Sequence, residues 1–442
     1  MKVLFYLFFL FSFSNCVTDK ACVKQDPNCS PLLNSFFIQI LTKQNIYLAG
    51  GISTSPFMTN WFVTPSSWLL KKYDLNGSED LAHWNKSWSY NSNPAFSNMP
   101  MALDVDNNEN VYFGGFAQTG AASSPPLINS IQKIFKSDGR EIHHFQYTMS
   151  PTNAIFSTTL DNSGNLYIGG VGVNIINTTS GADWFIKKLD PLKNEILSIS
   201  FENTTVSFPN DMLKKIAVDT SQNIIAGGTT QSALNQNPVI AKFDAKGNLL
   251  WILNMPTGNN TDLTGLQVDK YGFILVTMNY FNLASATSSM DGVIKKIDPN
   301  GNEIWQTIID FGKNSDDFTT GIKLDANNNI LVYGGFSSNN PNLDAGILQL
   351  DANGNITKQV FYDAGNNNNE AFQDISIDNN GYIYATGHAH NIASSVSGSP
   401  VLSNRDLIIR KFSPGLTEDT TFNILFDRGI GAAEEGMQIY IK

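Results

Sequence analysis

The stretch LDNSGNLYIGG, residues 160–170, is an apolar run folded back on itself around a corner. Asp161 ends one run, Gly164 and Asn165 make the turn, and LYIGG leaves in the opposite direction. Nearly the same words return as LDVDNNENVYFGG (103–115), VDTSQNIIAGG (218–228), LDANNNILVYGG (324–335) and IDNNGYIYATG (377–387). Self-similarity at a fixed period outranks chain length as a guide to architecture, so the 442 residues are read as one repeat array, not as two or three domains.

Each unit reads as four strands, A to D. Strand A ends in Asp, as in AFQDISID (371–378), and strand B ends in a Gly pair or a relative, as in YIYATG (382–387). Strand C follows after a loop, as in DLIIRKF (406–412), then a second tight turn, then strand D, as in FNILF (422–426). Period-two alternation bounded by turn formers is the physical mark of a half-buried strand.

The first turn recurs at Asp106, Asp161, Asp219, Asp269, Asp325 and Asp378, with Thr42 in the Asp place of an earlier copy, which makes seven. Successive aspartates stand 55, 58, 50, 56 and 53 residues apart, a spacing that suits a four-stranded propeller blade. Asp folds its carboxylate onto backbone amides and Gly or Asn accepts positive φ, so the recurring Asp is read as corner chemistry and not as catalysis. The Gly pairs at 50/51, 114/115, 169/170, 227/228 and 334/335 let a backbone pass a crowded strand without a Cβ. One copy has Thr277-Met278 instead.

The first word, as DNSGNLYIGG (161–170), and a second, as DGVIKKIDPNGNEIW (291–305), DWFIKKLDPLKNEI (183–196) and PVIAKFDAKGNLLW (238–251), resemble the SBBP repeats, a family named for seven-bladed β-propellers. The resemblance spans roughly residues 36–442 and implies an all-β, seven-bladed β-propeller of four-stranded antiparallel blades. Families of this kind share a scaffold and not one activity. A propeller must also join its ends. EEGMQIYIK at the C-terminus reads as a strand A without its own strand B, and NIYLAGG (45–51) is a strand B for it to join. FFIQIL (36–41) also reads as strand A of that blade; the C-terminal segment is the expected closer, with 36–41 left as an edge strand or tether.

Residues 1–15 have the layout of a signal peptide: one Lys, an apolar run from Val3 to Phe13, then small or polar residues. Phe13-Ser14-Asn15-Cys16 resembles the lipobox of bacterial lipoproteins, with Phe13 where Leu is commoner and Asn15 where Gly, Ala or Ser is usual. The resemblance implies acylation of Cys16, hence an exported protein anchored by lipid to the cell envelope. Ordinary cleavage nearby would instead remove Cys16 and leave a secreted protein. If Cys16 carries lipid, Cys22 and Cys29 form an even pair in an exported tether (16–35), where a disulfide is the simplest state.

A net charge of −11 argues against nucleic acid and against electrostatic docking on anionic lipid. The variable B–C loops (among them 52–67, 116–129, 171–183, 279–291 and 388–406) and D–A loops (88–98, 254–263 and 427–435) share one end of the scaffold, where recognition is expected. Candidates there are His388 and His390 of TGHAHN, the acids Asp316, Asp317, Glu370, Glu434 and Glu435, and Tyr280, Phe281 and Phe336 as an exposed apolar rim. A histidine pair with carboxylates nearby is ligand chemistry for a metal, yet two loop histidines are more simply solvent-facing, and no metal or cofactor is expected. Lys72, Lys188, Lys242, Lys296 and Lys411 recur just before the C–D turn and are read as a solvated face.

No G-x-S-x-G elbow, H-E-x-x-H, P-loop or dinucleotide fingerprint occurs. The expected function is therefore a monomeric, non-enzymatic binding module whose loop face takes a protein or glycan partner. A propeller hydrolase or lactonase using loop-face carboxylates and a metal, and a purely structural envelope protein, are the competing readings.

Overall fold

The computed structural model describes residues 44–53, 66–88, 98–118, 128–147, 152–176, 181–203, 210–231, 236–255, 261–281, 290–312, 316–337, 342–365, 369–390, 405–427 and 433–442. Cys16, Cys22, Cys29, the signal segment and FFIQIL (36–41) lie outside them, and at Phe281 and His390 only the backbone is described.

Seven four-stranded antiparallel sheets follow one another along the chain. Strand A, the innermost of each blade, is Ala433–Ile441 in blade one, Asn98–Val105 in two, Asn153–Leu160 in three and Asn210–Val218 in four. It is Thr261–Val268 in blade five, Phe318–Leu324 in six and Ala371–Ile377 in seven. These strands pack side by side in a closed ring around an axial channel. The C-terminal strand closes the ring by pairing with Asn45–Ser53, from Ile46↔Ile441 to Ser53↔Ala433. Closure by the C-terminal segment is therefore the observed arrangement.

The A–B turn is built as its composition dictates. In blade three Asp161 Oδ1 accepts the amides of Ser163 and Asn165 at 2.9 Å each, Oδ2 accepts Asn165 Nδ2 at 2.7 Å, and Gly164 takes φ +78°. In the other copies Glu109, Gln222, Gly272, Asn328 and Gly381 occupy the same left-handed position. The C–D turns repeat this chemistry and also receive the neighbouring blade. The indoles of Trp84, Trp251 and Trp305 donate to the carbonyls of Ser137, Pro299 and Ala352 in the next blade's turn. These tryptophans thus each tie their blade to the next.

The recurrent lysines are not a solvated face. Lys72, Lys188 and Lys411 stand directly across the B–C pairing from Tyr47, Tyr167 and Tyr384, and their ammonium groups lie 5.1, 4.8 and 5.3 Å from those ring centroids. Cation–π attraction and an aliphatic stem over the ring hold them down. Lys242 faces Ile225 instead and pairs with Asp219 at 3.2 Å, both almost fully buried.

Strand A of every blade carries a β-bulge at the same height. Strand A gains an unpaired residue between Pro100 and Ala102, Ile155 and Ser157, Leu213 and Lys215, Leu263 and Gly265, Thr319 and Gly321, and Phe372 and Asp374. In blade one the same shift leaves Met437 between Gly436 and Gln438. The bulge explains the recurrent glycines. A Cβ at Gly115, Gly170, Gly228, Gly334 or Gly387 would lie only 2.0–2.1 Å from a carbonyl oxygen of strand A. Blade five, which lacks the Gly pair, carries a glycine on strand A instead; a Cβ at Gly265 would fall 2.5 Å from Thr277 Oγ1.

Candidate functional site

A bulge turns one side chain out of the alternation of its strand and re-aims it. Here seven such side chains form a ring: Met437, Met101, Phe156, Lys214, Thr264, Thr320 and Gln373, taken from blade one to blade seven. All seven line one cavity of about 450 Å³ at the loop-face mouth of the channel.

The ring is divided. Blades one to three contribute two methionines and a phenylalanine, which continue into a buried cluster with Met99, Phe116 and Ala154. Blades four to seven contribute an ammonium, two hydroxyls and an amide. Lys214 leans on Asp262 at 3.4 Å, Thr264 bonds to Thr277 and Thr319 at 3.0 Å each, and Thr320 donates to the carbonyl of Tyr333 at 3.1 Å. One wall of the mouth is thus apolar and deformable, the other polar and hydrogen-bonded. Unbranched thioether side chains are well suited to adapting to an irregular apolar shape.

Below the ring the channel narrows to about 130 Å³ and becomes charged, with Asp104, Lys215, Lys323 and Asp374 on its lining. Lys323 lies 3.6 Å from Asp374, whose other oxygen accepts the amide of Ile439 at 3.0 Å. Burial pushes the Asp104 carboxyl up to about 7, against the opposing pull of the Thr158 hydroxyl and Lys323. Burial likewise pushes the Lys215 ammonium down, with Asp374 opposing.

Beside the mouth, Glu435 collects His388 Nδ1 at 3.0 Å and Gln373 Nε2 at 2.8 Å, with Arg405 at 3.5 Å; Glu435, His388 and Arg405 are buried and Gln373 is half-buried. A carboxylate only accepts, so the hydrogen-bond network assigns the Nδ1 proton to the imidazole. Burial, then Arg405, holds His388 below its ordinary pKa, while Glu435 is held low by His388 and Arg405 despite its burial. The network fixes the amide of Gln373 in the ring.

His388 is therefore not a solvent-facing loop histidine: strand B of blade seven runs on through Ile383–His390 and buries it. Tyr280 and Phe336 do not form an exposed rim, because strand B extends past the glycine position in blades five and six. Tyr280 packs beside Met278, and Phe336 packs edge-on to Phe311 and Phe361. Asp316 is exposed and caps the amide of Met290 at 2.9 Å. Asp317, Glu370, Glu434 and Glu435 are buried between blades. Of all these residues, only His388 and Glu370 touch the mouth cavity.

No family model matches the chain, and no curated protein does. Solved structures do. A lignostilbene dioxygenase from Pseudomonas brassicacearum is similar at a TM-score of 0.50 and 11% identity, over 91% of this chain and 92% of that one. Hydrazine synthase from Kuenenia stuttgartiensis is similar at 0.48 and 13% identity, over 72% and 86%. The calcium-binding protein regucalcin from Agrobacterium tumefaciens is similar at 0.34 and 15% identity, over 65% and 86%. Likeness at such identity is a matter of fold, and the chain is a seven-bladed β-propeller with distant structural neighbours of diverse activity.

Proposed function

We propose that this propeller is a non-enzymatic binding module which takes a small amphipathic molecule into the loop-face mouth of its channel. The partner class moves from the protein or glycan expected of the loops to a ligand with an apolar body and a polar end. The observation that carries this is the divided bulge ring: Met437, Met101 and Phe156 on one side, Lys214, Thr264, Thr320 and Gln373 on the other. An apolar body would lie on the first wall, and its polar end would reach Gln373, Gln438 or Lys215. A cavity of about 450 Å³ lies within the size range of small-molecule sites.

The N-terminal segment adds location to this reading. An SBBP-type repeat array behind a lipoprotein signal would stand on the cell envelope through a lipid on Cys16, with Cys22 and Cys29 bridged in the tether. Metabolic labelling with an alkyne fatty acid, lost in Cys16→Ser, tests the anchor.

The binding test uses anilinonaphthalene sulfonate, which joins an apolar body to an anion, titrated into the whole chain. Saturable fluorescence is expected, weakened about tenfold or more by Phe156→Asp or Met437→Asp, since one lost apolar contact is worth on the order of 1.5 kcal/mol. Lys246→Ala, in a C–D turn on the opposite face, should bind as the parent does. Equal binding by all three variants would place the dye elsewhere and end the proposal.

A further inference from the structure

Between consecutive blades three positions converge: the opening of strand C, the residue just past strand D, and the opening of strand A in the next blade. Acids recur there, and in two junctions the backbone answers them. Between blades three and four, Asp183 accepts the amides of Ile175 and Ile176 at 2.9 and 3.2 Å, and Asp211 accepts that of Asn203 at 2.6 Å. Between blades five and six, Asp317 accepts the amides of Phe311 and Ser337 at 2.7 and 2.8 Å and the Ser337 hydroxyl at 3.2 Å.

The junction of blades six and seven is different. Asp344 opens strand C, Asp363 follows strand D in an Asp-x-Gly turn closed by the amide of Gly365, and Glu370 precedes strand A. One carboxylate oxygen from each lies within 4.8 Å of the other two. Glu370 is 0% exposed, and among the described residues neither of its oxygens has a hydrogen-bond partner. A buried carboxylate without a donor is costly unless something positive meets it. Burial, then Asp363 and Asp344, pushes the Glu370 carboxyl up to about 9. The next junction repeats the constellation: Asp406 in strand C, Asp427 after strand D and Glu434 in the closing strand also bring their oxygens within 4.8 Å.

We propose that Asp344, Asp363 and Glu370 hold a calcium-class divalent cation between blades six and seven. Three carboxylates with no nitrogen or sulfur are hard-ion chemistry, and water completes the six to eight oxygens such an ion takes. The ion would clamp the last blade to blade six.

The test is calorimetric titration of calcium into the chelator-treated whole chain, read alongside thermal unfolding with and without calcium. One ion per chain is expected and none in Glu370→Gln, with the calcium-dependent rise in Tm lost in the same variant. Asp363→Asn, at an exposed position, should weaken the site without disturbing the fold. In chelator Glu370→Gln should unfold no earlier than the parent, because it removes a buried carboxylate. No uptake of calcium at about 1 mM, the weak end for extracellular modules, would overturn the proposal. So would uptake that Glu370→Gln leaves unchanged.

Discussion

Asp219→Asn is predicted to destabilise the propeller far more than the same change in the equivalent turn of blade six. Both aspartates accept two turn amides on Oδ1 and the amide of the closing asparagine on Oδ2. Asn retains an acceptor for the amides, so that part of the turn survives in both variants. The difference is across the B–C pairing. Asp219 faces Lys242 at 3.2 Å with both side chains nearly buried, whereas blade six has Gln349 where Lys242 stands. Asp219→Asn points an amide NH₂ at Asn223 and strands a buried ammonium, and removing one partner of a buried pair costs about 3–5 kcal/mol. Asp325→Asn loses one side-chain hydrogen bond, about 1 kcal/mol. Urea unfolding followed by tryptophan fluorescence, with midpoints compared at equal m, measures the gap. Asp219→Asn/Lys242→Met should recover most of the loss, since an apolar pair of similar volume fits the site. Equal midpoints for Asp219→Asn and Asp325→Asn would refute the assignment of the energy to the lysine.

Acid should weaken the fold in two stages through the mouth network. His388 and Glu435 both have folded pKa values below their ordinary 6.5 and 4.5, so the unfolded chain takes up protons first. Stability is fully present above 6.5 and falls as pH drops below it, then falls again below 4.5. His388→Asn should flatten the first stage in a Tm-versus-pH series, and an unchanged slope would show that His388 does not set it. Gly228→Ala drives a Cβ to 2.1 Å from the carbonyl oxygen of Met212 and should lower Tm steeply. Gly312→Ala, with no described atom within 4 Å of its Cβ, should show only the smaller cost of its φ of +84°, about 1 kcal/mol. Ile439→Asp, in the closing strand at 2% exposure, should cost several kcal/mol by burying a charge, visible as early unfolding in calorimetry.

The scaffold was legible because its corners are chemical. Asp161, Gly164 and Asn165 each have one job in the turn, and a word repeated seven times leaves little room for another fold. The spare C-terminal strand was legible for the same reason, as an A word lacking its B. The mouth was not, because strand alternation assigns faces by parity and the bulge breaks parity. A positional signal was nonetheless present: Met101, Phe156, Lys214, Thr264, Thr320 and Gln373 each stand five residues before the turn aspartate. Tyr280 and Phe336 were misplaced because the Gly pair was taken as the end of strand B, when it marks the crossing of strand A's bulge. Glu370 and Glu434 were visible as loop acids. Their partners Asp344 and Asp406 were hidden in the Asp that opens strand C, because nearness across blades is a tertiary fact.

The bulge residue of each blade stands outside the hydrogen-bond ladder, and the glycines opposite it absorb the crowding. Its identity therefore bears little on whether the blade pairs correctly. The presence of Met, Phe, Lys, Thr and Gln at one architectural position in a single chain shows that tolerance directly. Letters facing one space can thus be exchanged without altering the strand pairing that presents them. Selection acting on such a molecule can retune what the opening admits one blade at a time, and a laboratory library confined to those seven codons would sample the same freedom.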